Sequence, residues 1–188
     1  MSELRVAVVG VSGAGKSSFS QALRSETQLP YLELDGLYHQ PDWTPSPPEV
    51  MRTAVFEFMQ THGSWVIDGN YGIVRSAIWA KATHVVWLDL PKRMIVQRLL
   101  KRSVRRIATK EALWNDNREG LGALFSSDVD TNVWLNAWQR HGELQRQYSG
   151  DCLDPKWNHL RFVRVRSASQ VQGTVDALSR EYQKRRCA

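Results

Sequence analysis

Continuous apolar runs alternate along this chain with stretches whose apolar residues recur every three or four positions. Residues 6–9, Val-Ala-Val-Val, form the kind of uninterrupted run that a parallel strand buried on both faces requires. Phe19, Ala22 and Leu23 then recur at helical spacing. A second short run, residues 31–34, is opened by Pro30 and closed by Asp35-Gly36. Asp-Gly between apolar runs suits a hairpin with Leu37 and Tyr38 on the return strand. It equally suits a parallel strand that carries Asp35 at its carboxyl end, and the strand–helix pattern already begun favours this second arrangement.

The prolines of residues 41–48 exclude regular structure there. Ser46 as N-cap, Pro47 in the first turn and Glu49 closing a capping box predict a helix carrying Val50, Ala54 and Phe58, with Val55 alongside. Residues 65–68 (Trp-Val-Ile-Asp) and 84–89 (His-Val-Val-Trp-Leu-Asp) repeat the strand-then-aspartate design. Three strand ends thus deliver Asp35, Asp68 and Asp89 to the edge where a ligand would bind, which points to a metal and acceptor site.

A long helix follows from Lys92, with Ile95, Val96, Leu99 and Leu100 on one side and Arg93, Arg98, Lys101, Arg102, Arg105 and Arg106 on the other. The basic side reads either as a solvated face or as an arginine-bearing lid over transferring phosphates. Residues 108–150 are irregular at first and then helical from Val133, with Trp134 and Trp138 on one face as packing residues. Residues 160–166 predict an edge strand bearing three arginines. Ser167 and Gln170 form a capping box for a last helix with Val171, Val175 and Leu178, and the Lys184-Arg185-Arg186 tail is expected to fray.

Between the first strand and helix, residues 10–17 match G-x-x-x-x-G-K-[ST] at every fixed position. Gly10, Gly13 and Gly15 free the backbone of residues 10–18, including Ser12, Ala14 and Ser18, to aim its N–H groups at an anion. Lys16 is expected at the β- and γ-phosphates of a nucleotide, and the Ser17 hydroxyl on Mg²⁺.

Composition adds little. The 188 residues, 42% of them hydrophobic, suffice for one domain with a core. The net charge of +6 suits phosphorylated ligands or nucleic acid. No apolar run approaches a membrane span, and with the chain entering its first strand at once no signal peptide is expected. Cys152 and Cys187 lack any C-x-x-C partner, so a reduced, cytoplasmic setting is expected.

Several motifs together carry a resemblance: residues 10–17, Leu34-Asp35-Gly-Leu, Trp65-Val-Ile-Asp68-Gly-Asn70-Tyr71 with Arg75, Trp87-Leu-Asp89-Leu-Pro91, Arg98 with Arg102, and Leu113-Trp with Asn117-Arg118-Glu119. The chain resembles the adenylate-kinase-like P-loop proteins known as DNA topology modulation proteins, over nearly its whole length. The resemblance implies an α/β fold of the nucleoside-monophosphate-kinase type. That is one domain over residues 1–188, with a five-stranded parallel sheet flanked by helices and a helical lid near residues 105–130. It implies Lys16 and Ser17 at the phosphates of ATP, Asp68 near Mg²⁺ and the acceptor, and Arg98 and Arg102 leading into the lid. Where adenylate kinases hold a Thr-Gly element and an arginine for a monophosphate, this chain has Asp35-Gly-Leu-Tyr38, and Arg52 alone, apart from histidines, is basic between Tyr31 and Trp65. The lid lacks the cysteine cluster of zinc-bearing relatives. An aspartate in that place suits a hydroxyl acceptor.

The expected activity is therefore ATP- and Mg²⁺-dependent phosphoryl transfer to a small molecule. Lys16, Asp35, Asp68, Arg98 and Arg102 are the catalytic candidates, and Ser17 and Asp68 the metal candidates. The acceptor is expected to contact Asp35, Tyr38, Asp68, Asn70, Arg75 and Arg118. The alternative is a nucleotide-dependent regulatory or DNA-binding protein, for which no DNA-binding motif is present.

Overall fold

A computed structural model describes residues 3–109, 112–117 and 132–187. The strands are β1 (Arg5–Val9), β2 (Tyr31–Glu33), β3 (Trp65–Asp68), β4 (His84–Leu88) and β5 (Arg161–Val165). They form one parallel sheet in the order β2-β3-β1-β4-β5. The helices are α1 (Lys16–Thr27), α2 (Leu34–Tyr38), α3 (Pro48–Thr61), α4 (Gly72–Lys81), α5 (Lys92–Thr109), α6 (Val133–Asp151) and α7 (Ala168–Cys187).

Two apolar layers sandwich the sheet because β1, β3 and β4 point alternate residues to opposite faces. Val6 and Val8 face Phe19, Leu23, Leu99 and Leu178 on one side; Ala7 and Val9 face Trp65, Ile67, Trp79 and Trp87 on the other. Parallel strands leave every carboxyl end at the same edge, so β1, β2 and β3 open toward one another there.

Local details differ from the expectations. Asp35 lies not on a strand end but in the first turn of α2, with Leu37 and Tyr38 helical, which excludes the hairpin. Helix α3 is capped by Pro47 without a side-chain bond; Glu49 pairs with Arg52, and Ser46 is buried instead of capping. Its core face is Met51 and Val55, while Val50 is 57% exposed, a rotation set by the neighbouring sheet. The basic tail is helical. Arg185 ties α7 to the carbonyl of Glu3 at 2.7 Å and to Glu181 in its own helix. At α7, Gln170 accepts from the N–H groups of Arg166 and Ser167 (2.8 and 3.3 Å), the glutamine half of the expected box. Among the described residues no helix is long and apolar enough to cross a membrane.

Candidate functional site

The loop between β1 and α1 takes the shape that its glycines permit. Gly13 and Gly15 have φ of 80° and 95°, where a side chain is strained. A Cβ on Gly13 would stand 2.5 Å from Leu99 Cγ, and one on Gly10 2.7 Å from the carbonyl of Leu88. The loop is thus folded tightly against β4 and α5, with Lys16 opening α1. Ala14 contributes differently from its neighbours: it is buried, and its N–H closes a turn onto Val11 O at 3.1 Å. Ser12 and Lys16 are half-buried and Ser18 is exposed. Arg98 reaches from α5 across this loop, donating to Ala14 O at 3.4 Å. Arg102 follows one turn later on α5.

Ser17 faces the second strand. Its hydroxyl donates to Glu33 Oε1 at 2.7 Å, and Glu33 Oε2 accepts the Trp114 indole N–H at 2.9 Å. Glu33 was not among the sequence candidates. Its signal was a lone carboxylate inside a short apolar run, two residues from Tyr31 and so on the same face of β2. Tyr31 donates to Asp68 Oδ2 at 2.7 Å across the β2–β3 pair.

Asp68 itself is fully buried, and its Oδ1 has no hydrogen-bond partner among the described residues. Burial pushes this carboxyl up to about 6, against the downward pull of the Tyr31 hydroxyl and of the Lys16 charge; Glu33 and Asp35 add to the upward push. An orphaned carboxylate oxygen beside a lysine is what a cation-binding or proton-holding position requires. Ser17, Glu33 and Asp68 therefore fit Mg²⁺, whose remaining ligands would be phosphate oxygens and water.

Asp35 accepts the Tyr71 hydroxyl at 2.7 Å through Oδ1, and its other oxygen has no partner among the described residues. The Tyr71 ring lies against Tyr38, with centroids 4.5 Å apart. Burial, followed by the Asp35 charge, holds the Tyr71 phenol protonated well above its ordinary range.

Other candidates are placed elsewhere. Asn70 turns to the loop: its Oδ1 accepts from Gly10 N–H at 3.1 Å and from the Tyr148 hydroxyl at 3.1 Å, and its amide donates to Gly10 O. Arg75 pairs with Asp151 at 3.0 Å and lies 5.3 Å from the Trp79 ring centre. Asp89 is a structural anchor, taking two bonds from Arg164 (2.6 and 2.9 Å) and one from Gln145 at 2.8 Å. The third strand-end aspartate thus belongs to the β5 edge. Arg118 and most of the expected lid lie outside the described residues.

Residues 112–117 cross back over α2. The Trp114 ring stacks on His39, with centroids 5.7 Å apart and an interplanar angle of 23°. Asn115 donates to His39 O, and Asn117 to Gln40 O at 2.9 Å, while Asn117 Oδ1 accepts from Trp43 N–H at 2.9 Å. Trp114 carried no weight in the sequence as a site residue, because its partners lie some 80 positions away.

No protein-family model matches the chain, and neither does any curated protein sequence. Solved structures do resemble it. A gluconokinase from Sinorhizobium meliloti is 17% identical, with 97% of this chain and 95% of that one aligned at a TM-score of 0.52. A shikimate kinase from Bacteroides thetaiotaomicron is 12% identical over 96% and 98% of the two chains, TM-score 0.52. Another, from Acinetobacter baumannii in complex with shikimate, is 12% identical over 97% and 92%, TM-score 0.52. None of these descriptions concerns DNA topology. The chain has the fold of the small P-loop kinases, a five-stranded parallel sheet flanked by helices.

Proposed function

We propose that the chain is an ATP- and Mg²⁺-dependent phosphotransferase that acts on a hydroxyl group of a small molecule. One observation carries this reading: the positive-φ loop with Lys16 and Ser17 opens toward three carboxyl groups, Glu33, Asp35 and Asp68, on the same sheet edge. The structural neighbours, described as kinases of gluconate and shikimate, support the same class.

In this reading, the loop N–H groups and Lys16 bind the donor phosphates, and Arg98 and Arg102 neutralise the group in transfer. Ser17 turns its hydrogen to Glu33, which leaves an oxygen lone pair that would hold the metal, and Asp68 would hold it through water. Mg²⁺, when bound, supplies charge neutralisation between the phosphates. The acceptor oxygen bonds to the terminal phosphorus as the bond from that phosphorus to the β,γ-bridging oxygen breaks, releasing ADP. The hydroxyl proton passes to the free oxygen of Asp35, which Tyr71 orients.

The test is ADP release from ATP·Mg²⁺ over a panel of hydroxyl compounds, with Lys16→Ala as the blank. Acceptor-stimulated release that vanishes in the variant supports the reading. Failure of the wild-type chain to bind ATP·Mg²⁺ overturns it. The net charge of +6 is the observation behind a DNA-binding role; in the present reading Lys16, Arg98 and Arg102 contribute to it at the donor phosphates.

A further inference from the structure

Building on the phosphotransferase reading, we propose that the acceptor is an uncharged polyhydroxyl compound, such as a sugar, a cyclic polyol or the ribose of a nucleoside. Its hydroxyl groups bond to Asp35, and its C–H face lies on the aromatic wall formed by Tyr38, Tyr71, His39 and Trp114.

The wall is built, not incidental. Asp35 and Tyr38 lie three residues apart on α2, and Tyr71 bridges them, bonding the first and packing on the second. On the far side, His39 and Trp114 stack, and the strap carrying Trp114 is pinned by Glu33, His39 O and Gln40 O. Gly36 makes room for the indole, since a Cβ there would stand 3.1 Å from Trp114 Cδ1. His39 stays neutral: burial lowers its proton affinity more than Asp35 raises it. The wall therefore offers apolar ring faces with polar rims, the surface that stacks on the C–H face of a sugar.

Charge decides the class. Glu33 lies opposite Asp68 in the β2–β3 pair and two residues before Asp35, so the three carboxyl groups share one corner of the site. A carboxylate or phosphate on the acceptor would meet the Asp35 carboxylate, whereas a hydroxyl group donates to its second oxygen. Lys16 serves the donor phosphates. Among the described residues, Arg52 on α3 is turned to Glu49 and Arg75 on α4 to Asp151. This departs from gluconate and shikimate, the acids named for the structural neighbours.

The experiment measures kcat/KM for ATP-dependent transfer to matched pairs: D-glucose with D-gluconate, a neutral cyclohexane polyol with shikimate, and adenosine with AMP. The expected result is turnover of a neutral member at least about tenfold better than its anionic counterpart. Preference for the anion in every productive pair overturns the proposal. So does the absence of turnover with all neutral members when Lys16-dependent ATP·Mg²⁺ binding is intact, an outcome that leaves the nucleotide site itself standing. Trp114→Ala and Trp114→Phe both lose the bond to Glu33, so the two are compared with each other: the alanine variant should have an acceptor KM about tenfold above that of the phenylalanine variant, with the ATP KM of the two within twofold. A parallel rise in both constants would mark Trp114 as merely structural and overturn the wall.

Discussion

The side-chain amide of Asn70 pairs with both backbone groups of Gly10, accepting its N–H and donating to its carbonyl. The first residue of the phosphate loop is thereby fixed to the carboxyl end of β3, and the Tyr148 hydroxyl fixes Asn70 in turn from α6. A residue expected to meet the acceptor instead sets the position of the donor loop. Removing it leaves a part-buried N–H and carbonyl unpaired, which costs about 1–3 kcal/mol. Asn70→Ala should lower the thermal midpoint and raise the ATP KM about tenfold, read by melting curves and initial rates. Asn70→Asp retains an acceptor for Gly10 N–H and should lose less.

Glu33 links the Ser17 hydroxyl to the Trp114 indole. Glu33→Gln keeps the shape but replaces one acceptor oxygen by a donor, so it cannot accept from both the Ser17 hydroxyl and the Trp114 indole. The Mg²⁺ concentration for half-maximal activity should rise about tenfold, in line with the cost of losing a partner that orients a metal ligand. A titration of rate against Mg²⁺ at saturating ATP reads this directly. An unchanged midpoint would remove Glu33 from the metal site.

Asp35→Asn removes the proton acceptor and keeps the bond with Tyr71 in outline. Acceptor-dependent kcat should fall about 10²- to 10⁴-fold, the usual worth of a general base. ATP binding, followed by calorimetry, should be unchanged.

Asp68 gives a stability prediction with a sign. Its carboxyl rises from 3.8 to about 6 on folding, because burial disfavours the charge. The folded chain therefore binds this proton more tightly than the unfolded chain. The stabilisation is complete below about pH 4 and is lost as pH rises through 6. Asp68→Asn removes the charge and can retain the Tyr31 bond, so the variant should be more stable than the parent above pH 7. The difference should reach about 3 kcal/mol at pH 8 and vanish near pH 4. Denaturant melts of the nucleotide-free proteins at pH 4, 6 and 8 measure it. A difference independent of pH would show that Asp68 does not titrate in this range.

Much of the architecture was legible in the sequence because its signals are local. The apolar runs at β1, β3 and β4 read as buried parallel strands, and Gly13 and Gly15 are fixed by a loop geometry that few other residues tolerate, with Lys16 and Ser17 directly after them at the start of α1. The helical spacing of Ile95 and Leu99, or of Val175 and Leu178, likewise marks the face that is buried. Where neighbours in sequence compete, the pattern fell short by a residue or two. The α3 stripe centres on Met51 and Val55, and the cap at Ser46 gives way to Pro47.

The sequence by itself determined the order of elements, the nucleotide loop and the presence of aspartates at or just beyond strand ends, since each depends on residues within about ten positions. Only the tertiary structure decided which of those groups meet. Asp89 goes to Arg164, Arg75 to Asp151 and Asn70 to Gly10, while Glu33 enters the site without a motif and Trp114 from a motif that gave it no role there. These pairings join residues 60–81 positions apart, and they follow from sheet order and helix docking, which place side chains by geometry with no trace in local spacing.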